Sequence, residues 1–77
     1  ADIAAYLNAA LDDGDISVIA AALGDVARAK GMTQLSKETG ITRDGLYKAL
    51  SPTGNPSFDT VQKVVKAFGL RLDVAAA

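Results

Sequence analysis

Apolar positions along the chain recur at three- and four-residue intervals, the period of a helix, and the pattern breaks wherever glycine, proline and capping residues cluster. Ile3, Leu7, Ala10 and Leu11 stand at i, i+4, i+7 and i+8, a single face of a first helix that Asp2 caps and Gly14 ends. Asp15 caps a second helix, in which Ile19, Ala22, Leu23 and Val26 repeat that spacing with Ile16 one turn earlier. Gly31 closes it behind Arg28 and Lys30, cations that suit a helix C-terminus. A short third helix runs from Thr33 to about Thr39 and stops at Gly40, and a fourth runs from the Thr42 cap to about Leu50. After the turn-rich Ser51-Pro52-Thr53-Gly54-Asn55-Pro56, Ser57 caps a fifth helix. Its apolar stripe is Phe58, Val61, Val64, Val65 and Phe68, and Gly69 ends it. The pattern predicts an all-α fold of five helices in one small domain over residues 1–77.

The period then changes. Leu70, Leu72 and Val74 alternate with Arg71 and Asp73, the pattern of one short strand. A lone strand leaves its backbone hydrogen bonds unmet. Two readings stay open: a frayed tail, or a strand that pairs with the same segment of a second copy or with a different protein.

The stretch from about 33 to 50 has the layout of a helix-turn-helix, two short helices around a glycine-containing turn. Leu35 and Thr39 face inward, small Ser36 sits where the helices approach, Gly40 supplies a left-handed turn, and Ile41 fills that turn. Leu46, Ala49 and Leu50, at i, i+3 and i+4, pin the fourth helix to the core. Arg43, Asp44, Tyr47 and Lys48 are then left facing out, where a recognition helix meets base edges. Arg43 can bond guanine bidentately, Lys48 can reach guanine or phosphate, and Tyr47 can pack on a thymine methyl or bond a phosphate. Asp44 can accept from cytosine or hold Arg43 in its reading rotamer. Gly45 costs about 1 kcal/mol of helix propensity, for close approach to DNA or for plain packing. Thr33, Gln34 and Thr42 stand at helix N-termini, which favour anions, and Asn55 and Ser57 offer a second such cluster. A solvated polar face accounts for any one of these residues as well, and for Lys63 and Lys66 it is the plainer account.

Charge sharpens this picture. The total of 8 Lys+Arg against 9 Asp+Glu hides a division: Ala1 to Ala27 carries five acids and no base, whereas Arg28 to Arg71 carries eight bases against three acids, or +5. The basic part contains the helix-turn-helix. The acidic part suits docking of a basic protein, or simply keeps two helices solvated. With no His and no Cys, zinc sites of the usual kind, a Cys nucleophile, a Ser-His-Asp triad and disulfides are all excluded. Asp12-Asp13-Gly14-Asp15 lacks the spacing and closing Glu of a calcium loop, and no phosphate-binding glycine loop ends in Lys-Ser or Lys-Thr. No metal, no cofactor and no catalysis are expected. The longest strongly apolar run, Val18 to Leu23, is too short to span a membrane, and a cytoplasmic location is expected.

Met32-Thr33-Gln34, Gly40-Ile41-Thr42-Arg43 and Leu46-Tyr47-Lys48-Ala49-Leu50 resemble the helix-turn-helix of phage-repressor-like (Xre-type) regulators. Gly54-Asn55-Pro56-Ser57-Phe58-Asp59-Thr60-Val61, followed by Lys66-Ala67-Phe68-Gly69-Leu70, is similar to the helix after that motif in the same group. With Asp2-Ile3, Tyr6-Leu7 and the Gly14-Asp15 turn, nearly the whole chain resembles HigA-like addiction-module antidotes, the antitoxins of type II toxin–antitoxin pairs. One departure from the repressor pattern is Ser36, where Ala is usual. The resemblance implies a lambda-repressor-like fold and a homodimer on palindromic double-stranded DNA that represses its own operon. It also implies a basic RelE/HigB-like ribonuclease toxin as partner. By that analogy Thr42, Arg43, Tyr47 and Lys48 read bases, with Thr33 and Gln34 near phosphate. Two alternatives stand beside it: an autonomous repressor without a toxin, and a helical interaction module that does not read DNA.

Overall fold

The computed structural model describes residues 2–76. It has five helices in the order α1 (Ile3–Asp13), α2 (Ile16–Lys30), α3 (Met32–Thr39), α4 (Arg43–Ala49) and α5 (Phe58–Ala67). Four of the five starts use the caps read from the sequence. The side chains of Asp2, Asp15, Thr42 and Ser57 accept from the backbone N–H groups of Ala5, Ser17, Gly45 and Thr60. The exception is α3. It begins one residue earlier than expected, at Met32, because Gly31 both closes α2 and starts α3 without a side-chain cap.

α1 packs along α2, and α3 is the hub that touches α2, α4 and α5. The core joins Leu7 and Ala10 of α1, Leu23, Val26 and Ala27 of α2, Met32 and Leu35 of α3, Leu46 and Leu50 around α4, and Val64 and Val65 of α5. Leu35, Leu46, Leu50 and Val64 are the largest side chains closed off from solvent. The helical stripes were therefore read correctly at their centres and too generously at their ends. Ile3, Leu11, Ile16 and above all Phe58, 71% exposed, lie outside the core. Phe58 is the first residue of α5, and the stripe reaches the core only from Val61 onward.

α2 carries a glycine in mid-helix, a position that weakens helices. A Cβ on Gly24 would overlap the backbone carbonyl of Leu50, so α2 and the end of α4 meet backbone to side-chainless backbone. The C-terminus of α5 closes in a Schellman motif. Gly69, at φ 79°, donates to the Lys66 carbonyl, and Leu70 donates back to Val65. This sends the tail off in a fixed direction with Leu70 against the core.

The strand expected over Leu70–Val74 is not formed in the single chain: among the described residues there is no strand. The physical reason is the one the sequence supplied, since the chain has no second strand to complete a ladder. The alternation itself is present. Leu70 and Leu72 pack on the core, Arg71 and Asp73 face solvent, and Val74, past the end of the core, is 96% exposed. No helix among the described residues is long and apolar enough to cross a membrane.

Candidate nucleic-acid interface

The connection from α3 to α4 is wired by two hydroxyls. Ser36 donates to the Ile41 carbonyl at 2.6 Å, spanning the turn. Thr39 donates to the Leu35 carbonyl at 2.8 Å and accepts from the Ile41 N–H at 3.2 Å. Gly40 sits between them at φ 74° and returns its N–H to Ser36. The relative orientation of the two helices is thereby fixed by side chains within the turn. Ser36, the departure from the repressor pattern, has a structural task that Ala could not perform.

With Leu46 fully buried and Leu50 nearly so, α4 turns its other face outward, and Arg43, Asp44, Tyr47 and Lys48 are all exposed. Asp44 pairs with Lys48 one turn along, at 3.1 Å, rather than with Arg43. Both groups are 79% exposed, so the pair is worth at most about 0.5 kcal/mol and yields easily to a competing phosphate or base. A Cβ on Gly45 would lie 3.0 Å from Thr42 Oγ1 and 3.3 Å from Ile41 Cγ2, so packing at the cap suffices to explain that glycine. Thr42 accepts from Gly45 N–H at 3.1 Å and keeps its own proton available to a neighbouring acceptor.

One shallow concavity is lined by Thr33 and Gln34 from the first turn of α3, Arg43 and Tyr47 from α4 and Arg28 from the last turn of α2, together with Gly31 and Met32. The Arg28 guanidinium lies 5.9 Å from the centroid of the Tyr47 ring and 3.9 Å from Asp25. Gln34 is turned along its own helix, donating to Glu38 at 2.9 Å, and Glu38 also faces Lys30 at 3.8 Å. Asn55 and Ser57 are not part of this concavity; they lie in the loop beyond the other end of α4. Ser57 spends its hydroxyl on α5, accepting from Thr60 N–H and donating to Thr60 Oγ1, both at 3.1 Å. In that loop a Cβ on Gly54 would overlap the carbonyls of Lys48 and Ala49, so the chain hugs the end of α4.

A second surface lies along α1 and α2. Tyr6 and Val18 are half exposed there, flanked by Asp13 and Asp25 around a shared groove. The Tyr6 hydroxyl donates to Asp25 Oδ2 at 2.7 Å, and this bond holds its proton above the ordinary tyrosine range. Among the described residues no group of three or more His, Cys, Asp or Glu could hold a metal ion.

A family model described as "Probable addiction module antidote protein" matches residues 1–76. The chain belongs to this antidote family. It is also similar to an uncharacterized protein of Haemophilus influenzae (strain ATCC 51907 / DSM 11121 / KW20 / Rd), 53% identical over 73 residues that cover 95% of this chain and 75% of the relative. No solved structure matches the chain. An antidote of this family implies a cognate toxin as its partner.

The residue at this concavity that the sequence pattern did not single out is Arg28. Its position at the end of α2 made a helix-terminal cation a sufficient account. The available signal was that Arg28 is the first base of the chain, five residues before Thr33. What the sequence could not give is the bend at Gly31 that swings α3 round, so that Arg28 comes to lie over Tyr47.

Proposed function

We propose that this chain is a DNA-binding antitoxin of a type II toxin–antitoxin module. In this reading it binds palindromic DNA as a homodimer, represses its own operon and neutralises a RelE/HigB-like ribonuclease. Here α3 and α4 are the two arms of a lambda-repressor-like helix-turn-helix, and α4 is the recognition helix. The observation that carries the reading is the convergence of Thr33, Gln34, Arg43 and Tyr47, together with Arg28, beside the outward face of a helix whose opposite face is locked into the core. Isolated surface cations do not converge in this way.

Each group has a role in this scheme. Arg43 and Lys48 read guanine edges, and Tyr47 stacks against a thymine methyl or bonds phosphate. Thr42, at the cap of α4, and Thr33 and Gln34, in the first turn of α3, bond the phosphate backbone with the help of unpaired N–H groups. Asp44 releases Lys48 on binding and is free to accept from a cytosine amine. Arg28, held by Asp25 and Tyr47, adds a phosphate contact. Asn55 and Ser57 contact the backbone at the far end of α4, where the Ser57 hydroxyl must exchange its bond to Thr60 Oγ1 for one to phosphate.

The toxin takes the other surface. Carboxylates of Asp13 and Asp25 border the exposed Tyr6 and Val18, which suits an apolar strip edged with bases on a basic ribonuclease.

The test is titration of the operon's own promoter with purified protein at rising salt. Binding should weaken steeply with salt and be lost when Arg43→Ala and Lys48→Ala are combined. Salt-independent binding, or survival of binding in that double variant, would overturn DNA reading. Coexpression with the product of the neighbouring gene checks the toxin: nothing co-purifying and no effect on growth would leave an autonomous repressor.

A further inference from the structure

The tail after α5 carries a pattern the DNA reading does not use. The Schellman closure fixes Leu70 beside Val65, and the chain then runs over the core with Leu70 and Leu72 inward and Arg71 and Asp73 outward. Among the described residues the N–H groups of Arg71, Leu72 and Asp73 have no hydrogen-bond partner, and Arg71 and Asp73 have no ion-pair partner. The Val74 N–H reaches only the side chain of Asp73, at 3.0 Å. A groove of about 180 Å³ lies along the tail, walled by Leu7, Leu11, Val65, Leu70 and Leu72 and edged by the polar Asn8, Arg71 and Asp73. The tail thus offers backbone N–H groups without partners beside a core that Leu70 and Leu72 already touch, with an apolar residue, Val74, left over at its end.

We propose that residues Leu70–Val74 pair antiparallel with the same segment of a second copy, in the register that sets Leu72 opposite itself. The argument is charge and face complementarity. About a two-fold axis at Leu72, Arg71 stands opposite Asp73 of the second copy, and Asp73 opposite its Arg71, giving two cross-strand ion pairs on the solvent face. On the inner face Leu70 stands opposite Val74 of the second copy, so the fully exposed Val74 is covered by a residue already seated on the core. A shift by one residue would set Arg71 opposite the second copy's Leu72 or Val74, and a shift by two would set Arg71 opposite Arg71 or Asp73 opposite Asp73; each would lose both ion pairs. This inference rests on the reading of the protein as a dimer, and it identifies which segment joins the two copies.

The experiment is done on the protein without DNA. The chain contains no cysteine, so Leu72→Cys introduces a single thiol. Opposed antiparallel residues lie about 4.5–5.5 Å apart at Cα, within disulfide range. Mild oxidation should link the Leu72→Cys protein to itself. Leu70→Cys and Val74→Cys should each link poorly alone and link to one another when mixed. In sedimentation, Arg71→Asp or Asp73→Arg should weaken self-association roughly tenfold or more, since each turns two attractive pairs into two repulsive ones. Combining the two reversals should restore self-association, while the combined variant should not mix with the native chain, because arginine then meets arginine. Unchanged helix content by circular dichroism separates these effects from misfolding.

Efficient self-linking through Val74→Cys, self-association indifferent to both reversals, or a monomer whose tail becomes protected only when the toxin is added would each overturn the proposal. Loss of operator binding with the link at position 72 intact would count against the DNA reading alone. Operator binding without that link would count against the pairing alone.

Discussion

Single side chains set the geometry on which the interface depends. The Ser36 hydroxyl crosses the turn to the partly buried Ile41 carbonyl, so Ser36→Ala removes the bond and leaves an acceptor unmet. The expected loss is about 1 kcal/mol, read as a lower denaturant midpoint with unchanged slope. An unchanged midpoint would mean that the turn is held by Gly40 and Thr39 alone. Gly24→Ala should be worse, roughly 1–3 kcal/mol, although Ala is the better helix former, because its methyl would strike the Leu50 carbonyl. Thermal melts of the purified variant check the sign. These two residues also mark the limit of what was legible. The sequence shows Ser36 only as a small residue and Gly24 only as a helix-weakening one, because both do their work across a contact that exists only once α4 is docked.

At the scale of elements, the caps and stops were plain in the sequence because each depends on neighbours within four residues. The apolar stripes were plain at their centres for the same reason, and they failed at Phe58, Ile3 and Leu11, where burial depends on how far a neighbouring helix extends. The outward set of α4 was legible from its spacing; the arrival of Arg28 beside it was not, since a bend at Gly31 decides it.

The link between α1 and α2 carries a pH prediction. Tyr6 keeps its proton in the fold to higher pH than in the unfolded chain, because its hydroxyl bonds the Asp25 carboxylate. The folded state therefore binds the proton more tightly. Its contribution is complete below the ordinary tyrosine value of 10.0 and is lost as pH rises through the raised folded value. Stability measured by urea unfolding should fall above about pH 10 in the native chain, and this part of the fall should vanish in Tyr6→Phe. The same slope in both proteins would mean that the bond does not persist in solution.

Over the whole molecule, 35 × 25 × 23 Å, the division of charge becomes a division of surfaces. Five of the nine acidic residues, Asp2, Asp12, Asp13, Asp15 and Asp25, lie on α1, α2 and their caps, and the basic excess begins at Arg28, beside the concavity of α3 and α4. Because the basic excess is modest, affinity for unrelated DNA should be weak, and specific binding should depend on two copies acting together. Arg28→Ala should then weaken binding across sequences without altering which sequence is preferred, and it should lower the salt slope by about one unit per chain. A changed sequence preference would make Arg28 a base reader instead.

The central claim, that two copies present paired α4 helices to a palindromic operator, is tested most directly by hydroxyl-radical footprinting of the operon's own promoter. The account predicts two protected patches on one face of the duplex, centred about 34 Å or one helical turn apart, that disappear together in the Arg43→Ala, Lys48→Ala protein. A single patch, protection spread evenly along the fragment, or patches that survive in that variant would contradict it.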